Sequence, residues 1–381
     1  MDVSILMLGT ADWNQPIATN QHYVARELSA RWDVSYVESM GLRKPELRPS
    51  DLKRMLRRIG AGSAGTSFER PTNGINVLRP LVLPIHTGVS RIVNRPLLHR
   101  LVSNWIARPG QRLLWTYTPN TYGLERFADA TVYHCVDLLG SVPGINAELI
   151  AQQERRLAGA GVTAVASSEV VDKHLAAIGF DSRRLWPNVA DVEPIAEAVH
   201  RGRPRVERAV FAGNLTASKV DFELLEGLLK RGVRLDLAGP VSEGGGSSAR
   251  AVEKLVAAGA THHGHLDFAS LSELYARSTV GLIPYLINEY TVGVNPLKTY
   301  EYLAAGLTVV STRVPAVSAV SGHVTVAAGP EEFLQAVVAS TGTPSAESLE
   351  ARAELADRHS WTRRGAEARG LVDELMRDRV S

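Results

Sequence analysis

The sequence has little cysteine, little net charge and no long apolar run. A single cysteine, Cys135, among 381 residues excludes a disulfide framework and a cysteine-ligated metal cluster. Lys and Arg number 42 against 40 Asp and Glu, and this +2 balance excludes a wholesale polyanion binder of the histone kind. No apolar run approaches the roughly 18 residues that span a bilayer. The N-terminal MDVSILML also lacks the features of a signal peptide, so we expect a soluble cytoplasmic protein.

The near-neutral total hides a basic segment. Between Arg43 and Arg112 there are 14 Lys and Arg against three acids, a net charge of +11, so the rest of the chain carries −9. Two interpretations stay open: a solvated loop-and-helix face, or a surface that meets an anionic acceptor or the anionic lipids of the inner face of a membrane. Nucleic acid is disfavoured, because no aromatic residues interleave these charges as a stacking surface requires.

Apolar strand-like runs alternate with helical stretches along the chain, which favours parallel sheets covered by helices. The predicted strands are 3–8, 33–38, 112–117, 131–136, 162–167, 209–212, 233–238, 280–284, 308–311 and 324–327. The predicted helices are about 17–31, 146–160, 169–178, 221–230, 249–258, 271–277, 296–305 and 359–376. The pattern lapses at 187–207, where three prolines predict a linker. The expected domains are 1–190 and 205–358, followed by a C-terminal helical segment, 359–381.

The segment PYLINEYTVGVNPLKTYEYLAAG carries the strongest chemical pattern. Asn295 is a good N-cap and Pro296 suits the first helical position, so a helix start is predicted at the end of a strand, where phosphate binds well. Lys298 in the first turn opposes the helix dipole unless an anion lies nearby. Glu301 shares its face and can accept two hydrogen bonds from a ribose. A surface ion pair between Lys298 and Glu301 is the alternative.

Two further loops follow predicted strands in the same half. In VFAGNLTASK, Gly213 and Asn214 end a strand and Lys219 lies near the next helix start, where a phosphate would justify a cation. The triplet of histidines in THHGHLDF invites a zinc interpretation, but no acidic or cysteine ligand completes the set. Ordinary loop histidines are the default, and a nucleotide contact by His265 is the functional alternative.

The order of VFAGNLTASK, LAGP, HHGHLDFASLSELYARSTVGLIPY and VNPLKTYEYLAAGLTVVST resembles that of GT-B glycosyltransferases. The chain is most similar to the glycosyltransferase family 4-like branch that includes teichuronic acid glycosyltransferases, and its layout resembles xanthan glucuronosyltransferase. The resemblance implies two facing Rossmann-like α/β domains with parallel sheets. It also implies a nucleotide-sugar held by the C-terminal domain, and a final helix that crosses back to the N-terminal domain.

The resemblance also assigns donor-binding roles. Glu301 matches the family glutamate that holds the donor ribose, and Lys219 matches the lysine of the Arg-x4-Lys diphosphate pair. Asn214 stands where that arginine would be, and Lys298 resembles its replacement. The commoner motif has a second glutamate where this chain has Gly293, so neither the usual donor-sugar contact nor retained stereochemistry follows.

On the acceptor side, Tyr133 and Asp137 match the Tyr-x3-Asp setting of the general base in xanthan-type enzymes. A carboxylate that deprotonates a hydroxyl suits inversion, and the alternative is that Asp137 caps the following turn. His22, on the first helix, is predicted to touch an acceptor or donor sugar or else to be a surface histidine. Asp12 and Trp13 in the first loop are candidate acceptor contacts.

The resemblance implies transfer of a sugar from a nucleotide-sugar, with UDP-sugar as the expected donor, to a hydroxyl of a glycan, lipid-linked or small-molecule acceptor. Fixed lysines stabilise the leaving diphosphate without a metal, and the sequence shows no DxD-type carboxylate pair in a suitable loop. The alternative is a UDP-sugar epimerase of the same fold, and a catalytically silent nucleotide-binding scaffold is a further one. A Rossmann dehydrogenase is disfavoured, because the first strand lacks a G-x-G-x-x-G turn.

Overall fold

A computed structural model describes residues 2–15, 18–41, 74–82, 88–142, 144–202, 204–243, 246–318, 320, 322–342 and 344–377. The chain forms two compact units, one of Met1–Trp186 with Arg364–Ser381 and one of Pro187–Arg363. Much of the basic segment, including the helical pattern around Lys53–Ile59, lies outside the described residues. Among the residues described, no helix is both long enough and apolar enough to cross a bilayer.

The first unit is built on a seven-stranded parallel sheet in the order β3-β2-β1-β4-β5-β6-β7. Its strands are β1 Val3–Leu8, β2 Asp33–Val37, β3 Ile75–Leu78, β4 Gln111–Thr116, β5 Ala130–Cys135, β6 Thr163–Ala166 and β7 Arg183–Leu185. The helices are α1 Asn20–Ser29, α2 Gly88–Leu101, α3 Ser103–Ala107, α4 Ala147–Gly159 and α5 Glu169–Ile178. All six residues of β1 and of β5 are buried, as expected for strands covered on both faces.

The second unit has a six-stranded sheet whose described pairings are parallel, in the order β12-β9-β8-β13-β14-β15. The strands are β8 Ala209–Ala212, β9 Leu235–Ala238, β12 Thr261–His262, β13 Val280–Ile283, β14 Thr308–Ser311 and β15 Val324–Val326, beside a hairpin of β10 Ser242–Glu243 and β11 Gly246–Ser247. The helices are α6 Val192–His200, α7 Phe222–Lys230, α8 Ala249–Ala257, α9 Phe268–Arg277, α10 Lys298–Ala304, α11 Pro315–Ser318, α12 Pro330–Ala339 and α13 Ala346–Arg358. The predicted class, parallel α/β sheets in two units, is confirmed.

The linker predicted at 187–207 is wrong in part, because α6 occupies residues Val192–His200. Pro194 falls in the first turn of that helix, where a missing N–H leaves no helical hydrogen bond unmade. Ile195 and Ala198 are fully buried, and Ile195 belongs to the core of the second unit. Pro194 is therefore compatible with a helix that packs into the core of the second unit.

The last helix, α14 Trp361–Arg377, contributes its residues from Arg364 onward to the first unit. Arg369 Nη1 donates to Glu27 Oε2 on α1 at 2.6 Å. Gln111 lies at the start of β4, and its Nε2 donates to the Met376 carbonyl at 2.9 Å. The C-terminus is thus held to the N-terminal sheet by hydrogen bonds to an adjacent helix and strand.

Tyr302 fixes α10 against the second sheet. The Ala212 backbone N–H, at the end of β8, donates to Tyr302 Oη at 3.1 Å, and the ring is fully buried. Gly281 in β13 makes room, because a Cβ at this position would overlap the Tyr302 ring. The position of α10 over the strand ends therefore depends on an aromatic side chain and on the absence of one methyl group.

We expect Gly281→Ala to lower the free energy of unfolding by about 1–3 kcal/mol, since the added methyl overpacks the Tyr302 ring. Urea denaturation followed by circular dichroism measures the change. Gly342→Ala is the matched control, because a Cβ there meets nothing within 4 Å, and it should change stability by no more than about 0.5 kcal/mol. Equal stability of the two variants would contradict this account of the packing.

Candidate functional site

Three glycine turns lie side by side at the carboxyl ends of β8, β9 and β12. Gly213 N–H donates to the Ala238 carbonyl at 2.8 Å, and Gly239 N–H donates to the Gly264 carbonyl at 2.7 Å. All three glycines have positive φ, and a Cβ on Gly239 would overlap the Gly213 carbonyl oxygen. This edge therefore presents closely packed backbone without side chains, which allows a ligand to approach it.

Lys298, at the start of α10, passes over the first of these turns. A Cβ on Gly213 would lie 3.1 Å from Lys298 Nζ, so the glycine makes room for the ammonium group. Lys298 Nζ donates to Tyr285 Oη at 2.7 Å and lies 5.1 Å from the centroid of that ring. It is also 5.4 Å from the centroid of the Phe211 ring. One cation is thus fixed between the ends of β8 and β13.

Lys219 brings a second cation to the same tyrosine. Its Nζ lies 5.9 Å from the Tyr285 ring centroid and 5.5 Å from that of Tyr290. The two loops are joined by backbone hydrogen bonds, from Leu286 N–H to the Lys219 carbonyl at 2.8 Å and from Asp221 N–H to the Pro284 carbonyl at 2.8 Å. The two lysines predicted to bind phosphate are therefore brought together around one ring.

Tyr285 was not among the residues selected from the sequence. It is almost fully buried, and an apolar residue after a buried strand is ordinarily part of the core. The signal that could have identified it is its position, two residues beyond the end of β13, at the edge where the two lysines were expected. Its hydroxyl accepts a hydrogen bond from Lys298, and its ring lies within 6 Å of both ammonium groups.

Glu301 lies one helical turn after Lys298 and accepts a hydrogen bond from Tyr275 Oη at 3.0 Å. Burial raises the pKa of the Glu301 carboxyl, and the nearby Lys298 charge and the Tyr275 hydrogen bond offset only part of that rise. The Asp191 carboxylate raises the pKa slightly further. The Tyr275 hydrogen bond holds one Glu301 carboxylate oxygen in place. Glu301 itself is partly exposed to solvent.

Asn295 is not the N-cap of the helix, and this prediction is wrong. The helix begins at Lys298 with Leu297 before it, while Pro296 accepts a turn hydrogen bond from Thr299 N–H at 3.1 Å. The Asn295 carbonyl accepts from Asn188 Nδ2 at 2.7 Å, which anchors the approach to the helix. The helix starts later than predicted because Pro296 and Leu297 form a separate turn before the helical hydrogen bonds begin.

The histidines after β12 divide into two roles. His262 Nε2 contacts the Gly239 carbonyl at 3.0 Å, and His263 Nε2 contacts the buried Asp236 Oδ1 at 2.8 Å, so both support the glycine turns. His265 is exposed in the loop that leads to α9, and Asn214 follows Gly213 directly at the end of β8. No group of three or more potential metal ligands occurs in the part of the chain that the structure describes.

In the first unit, Asp137 follows β5 by two residues and is partly exposed at the carboxyl edge of the sheet. Its carbonyl accepts from Cys135 Sγ at 3.3 Å. Tyr133 does not share that environment, because it is fully buried and donates to Glu154 Oε1 at 2.9 Å. Of the Tyr-x3-Asp pair, the structure therefore brings only the aspartate to the edge.

His22 is almost fully buried, so the surface-histidine alternative is wrong. Thr19 N–H donates to its Nδ1 at 3.0 Å, which leaves the proton on Nε2 to donate to the Asp12 carbonyl at 3.2 Å. Burial lowers its pKa, so the ring is neutral near pH 7. Its ring packs against the Trp13 ring, and the Trp13 backbone N–H donates to Glu38 Oε1 at 2.9 Å. His22 thus holds the first loop, with Asp12 and Trp13, against α1.

The chain has two α/β units with parallel sheets, and its C-terminal helix packs on the first unit. These are the features of the GT-B architecture. Residues 206–341 match the family model described as Glycosyl transferases group 1. The matched range includes the three glycine turns and both lysines. The chain therefore has the GT-B fold, and the match over residues 206–341 indicates a glycosyltransferase.

Solved structures match over the full length. An α,α-trehalose-phosphate synthase (UDP-forming) from Burkholderia vietnamiensis aligns with TM-score 0.69 and 12% identity, covering 100% of both chains. The E. coli trehalose-6-phosphate protein bound with UDP-2-fluoro glucose aligns with TM-score 0.68 and 12% identity, over 98% of this chain and 99% of that one. At such identities the likeness shows the fold alone. No curated protein matches the sequence. The resemblance to the teichuronic acid branch stays a prediction.

Proposed function

We propose that the protein transfers a sugar from a UDP-sugar to an acceptor hydroxyl, without a metal ion. The observation that carries this proposal is the pair of ammonium groups, Lys219 and Lys298, both within 6 Å of the Tyr285 ring centroid, with Lys298 beside the Gly213 turn. A diphosphate needs two or more fixed positive charges and close access to backbone, and both features occur there. One of the similar structures was solved with UDP-2-fluoro glucose, which supports a UDP-sugar as donor.

In the transfer, the bond between the sugar anomeric carbon and the diphosphate oxygen breaks, and a bond to the acceptor oxygen forms. Negative charge grows on the leaving diphosphate as that bond breaks. Lys219 and Lys298 stabilise this charge more strongly in the transition state than in the bound substrate. Asn214 and His265, at the loops on the same edge, complete the proposed donor contacts.

The acceptor proton needs a base, and Asp137 is the proposed one, because it is the partly exposed carboxylate just beyond β5. His22 has both ring nitrogens bonded within the first loop and its helix, so we assign it a positioning role. It supports Asp12 and Trp13, which we propose as acceptor contacts. The match of residues 206–341 to a glycosyl transferase model favours transfer over epimerisation.

Glu301 is proposed to accept hydrogen bonds from the two hydroxyls of the donor ribose. We expect Glu301→Ala to weaken UDP binding by about 10- to 100-fold, since hydrogen bonds to a charged group contribute about 1.5–3 kcal/mol. Isothermal titration calorimetry measures the affinity. Glu289→Ala, an exposed glutamate in the preceding loop, is the matched control and should bind UDP as the native chain does. Native-like affinity of Glu301→Ala would remove the ribose assignment.

The same carboxyl should make UDP binding sensitive to pH. Because burial raises the pKa of Glu301, its charge is lost on acidification at a higher pH than the ordinary value of about 4.3. UDP affinity should therefore begin to fall on acidification before an ordinary glutamate would titrate, and Glu301→Gln should flatten that dependence. A fall of the same size in Glu301→Gln would place the responsible group elsewhere.

Thermal shift in the presence of UDP, GDP and ADP sugars tests the donor class directly. A ligand that binds only the folded state at 100 times its Kd adds about 2.7 kcal/mol of stability, and the melting temperature rises accordingly. We expect UDP-sugars to give the largest rise. A larger rise with a GDP- or ADP-sugar would correct the nucleotide, and no rise with any of them would contradict the proposed function.

A further inference from the structure

A second positively charged cavity lies in the first unit, on the side of the sheet where α2 and α4 pack. Its volume is about 400 Å³, and four arginines line it together with Tyr122 and Gly123: Arg91, Arg95, Arg126 and Arg156. Tyr122 is the one described non-glycine residue with positive φ. Two of its arginines lie just before strands begin and not after they end, since Arg126 precedes β5 and Arg156 is near the end of α4, before β6.

The arginines differ in how far the protein already neutralises them. Arg156 pairs with Glu125 and donates to Thr121 Oγ1 at 2.8 Å, and Arg91 Nη2 donates to Gln153 Oε1 at 3.2 Å. Arg95 and Arg126 are exposed, and within the described residues neither pairs with a carboxylate. Two guanidinium groups at the cavity thus retain their full capacity for an anion.

An apolar ridge borders this cavity on α2. The apolar ridge consists of Ile92, Val93, Pro96 and Leu97. All four residues are exposed, and the relative solvent exposure of Ile92 is 75%. With 3.6 residues per turn, the four lie within an arc of about 140° on the helix surface. Asn94 and Leu98 are buried on the side of the helix that faces the protein. Large aliphatic side chains thus face solvent beside unneutralised arginines.

The sequence around α2 contains no opposing charge. From Arg70 to Leu124 there are seven arginines and no Asp, Glu or Lys. A solvated charged face ordinarily mixes both signs, whereas this stretch carries arginines alone, and Glu125, which follows it directly, is paired with Arg156. Guanidinium groups are less strongly hydrated than ammonium groups and bind phosphate in a bidentate manner, so an arginine-only surface suits phosphodiester headgroups.

We propose that the arginine cavity and the apolar ridge form one surface that binds the anionic phospholipids of a membrane. Arg95 and Arg126 contact headgroup phosphates, while Ile92 and Leu97 enter the boundary of the acyl chains. Aliphatic residues in this position favour a bilayer over nucleic acid, because they offer bases no flat ring to stack on. This surface does not depend on the proposed donor site in the other unit.

Co-sedimentation of the full chain with vesicles tests the proposal. The chain should bind strongly to phosphatidylcholine vesicles in which about a third of the lipid is phosphatidylglycerol, and weakly to pure phosphatidylcholine vesicles. Salt should reduce binding to the anionic vesicles. The double variant Arg95→Ala with Arg126→Ala should bind the anionic vesicles roughly thirtyfold more weakly, because each arginine near an anionic surface contributes about fivefold. Ile92→Ser with Leu97→Ser should weaken binding at least about tenfold.

The controls separate this surface from general charge and from misfolding. Arg234→Ala with Arg250→Ala removes the same charge from exposed positions in the second unit and should leave vesicle binding unchanged. Native melting temperature and UDP affinity in every variant would show that the fold is intact. Equal binding to neutral and anionic vesicles, or native binding by Arg95→Ala with Arg126→Ala, would overturn the proposal. So would competition by soluble glycerophosphoglycerol at concentrations equal to those of the lipid, since it would indicate a small-anion site.

Discussion

Replacement of Lys298 by alanine should lower kcat by about 100- to 1,000-fold, the range seen when one preorganised charge-stabilising donor is removed. Lys298 Nζ is held by Tyr285 Oη at 2.7 Å and passes over the Gly213 turn, so the ammonium group is fixed before the reaction begins. Because it acts on charge that develops in the transition state, kcat and kcat/KM should fall together. Steady-state assays with a UDP-sugar and its acceptor measure both constants.

Two variants separate the charge of Lys298 from its hydrogen bond. Tyr285→Phe removes the same hydrogen bond and keeps the ammonium group, so its effect on kcat should be much smaller than that of Lys298→Ala. Lys230→Ala, an exposed lysine that pairs with Glu226 on α7, should leave kcat unchanged. If Tyr285→Phe and Lys298→Ala lost equal activity, the positioning of the loop and not the positive charge would be the property that matters.

Replacement of Asp137 by asparagine should lower kcat by about 100- to 10,000-fold, the contribution expected of a general base. The amide keeps the size and polarity of the side chain and removes its capacity to take the acceptor proton. UDP affinity should be unchanged, because the proposed donor contacts belong to the other unit. Parallel measurements of transfer and of UDP binding by calorimetry distinguish a lost base from a lost fold.

Asp181→Asn is the matched control for Asp137, because Asp181 is an exposed aspartate of the same unit, just before β7. It should transfer sugar at the native rate. Transfer by Asp137→Asn at a near-native rate would mean that another group, or water, accepts the proton. Loss of UDP binding in the same variant would point instead to a structural role.

The strands could be predicted from the sequence because their apolar runs are short, continuous and bounded by polar turns. VSILML and AVFA correspond to β1 and β8 without a shift. The helix α6 was missed because Pro194 and its neighbours resemble a linker, and only the burial of Ile195 shows that they pack. Local composition therefore failed where tertiary contacts determine the structure.

The two lysines of the candidate site could be selected from the sequence one by one, but their arrangement could not. Lys219 and Lys298 stood out because cations at helix starts conflict with the helix dipole. Their common neighbour, Tyr285, did not stand out, since the contact joins residues 66 positions apart in the case of Lys219. The N-cap at Asn295 failed for a related reason, because the Pro296–Leu297 turn precedes the helix and shifts its start.

The ring of Tyr285 has a mechanical consequence for the chain that carries it. Two ammonium groups lie within 6 Å of its centroid, and backbone hydrogen bonds between residues 219–221 and 284–286 join the loop of Lys219 to that of Tyr285. The fold of the second unit therefore holds both cations near one ring before any ligand arrives. A diphosphate bound as we propose would meet charges that are already positioned, so the reaction would require little reorganisation around it.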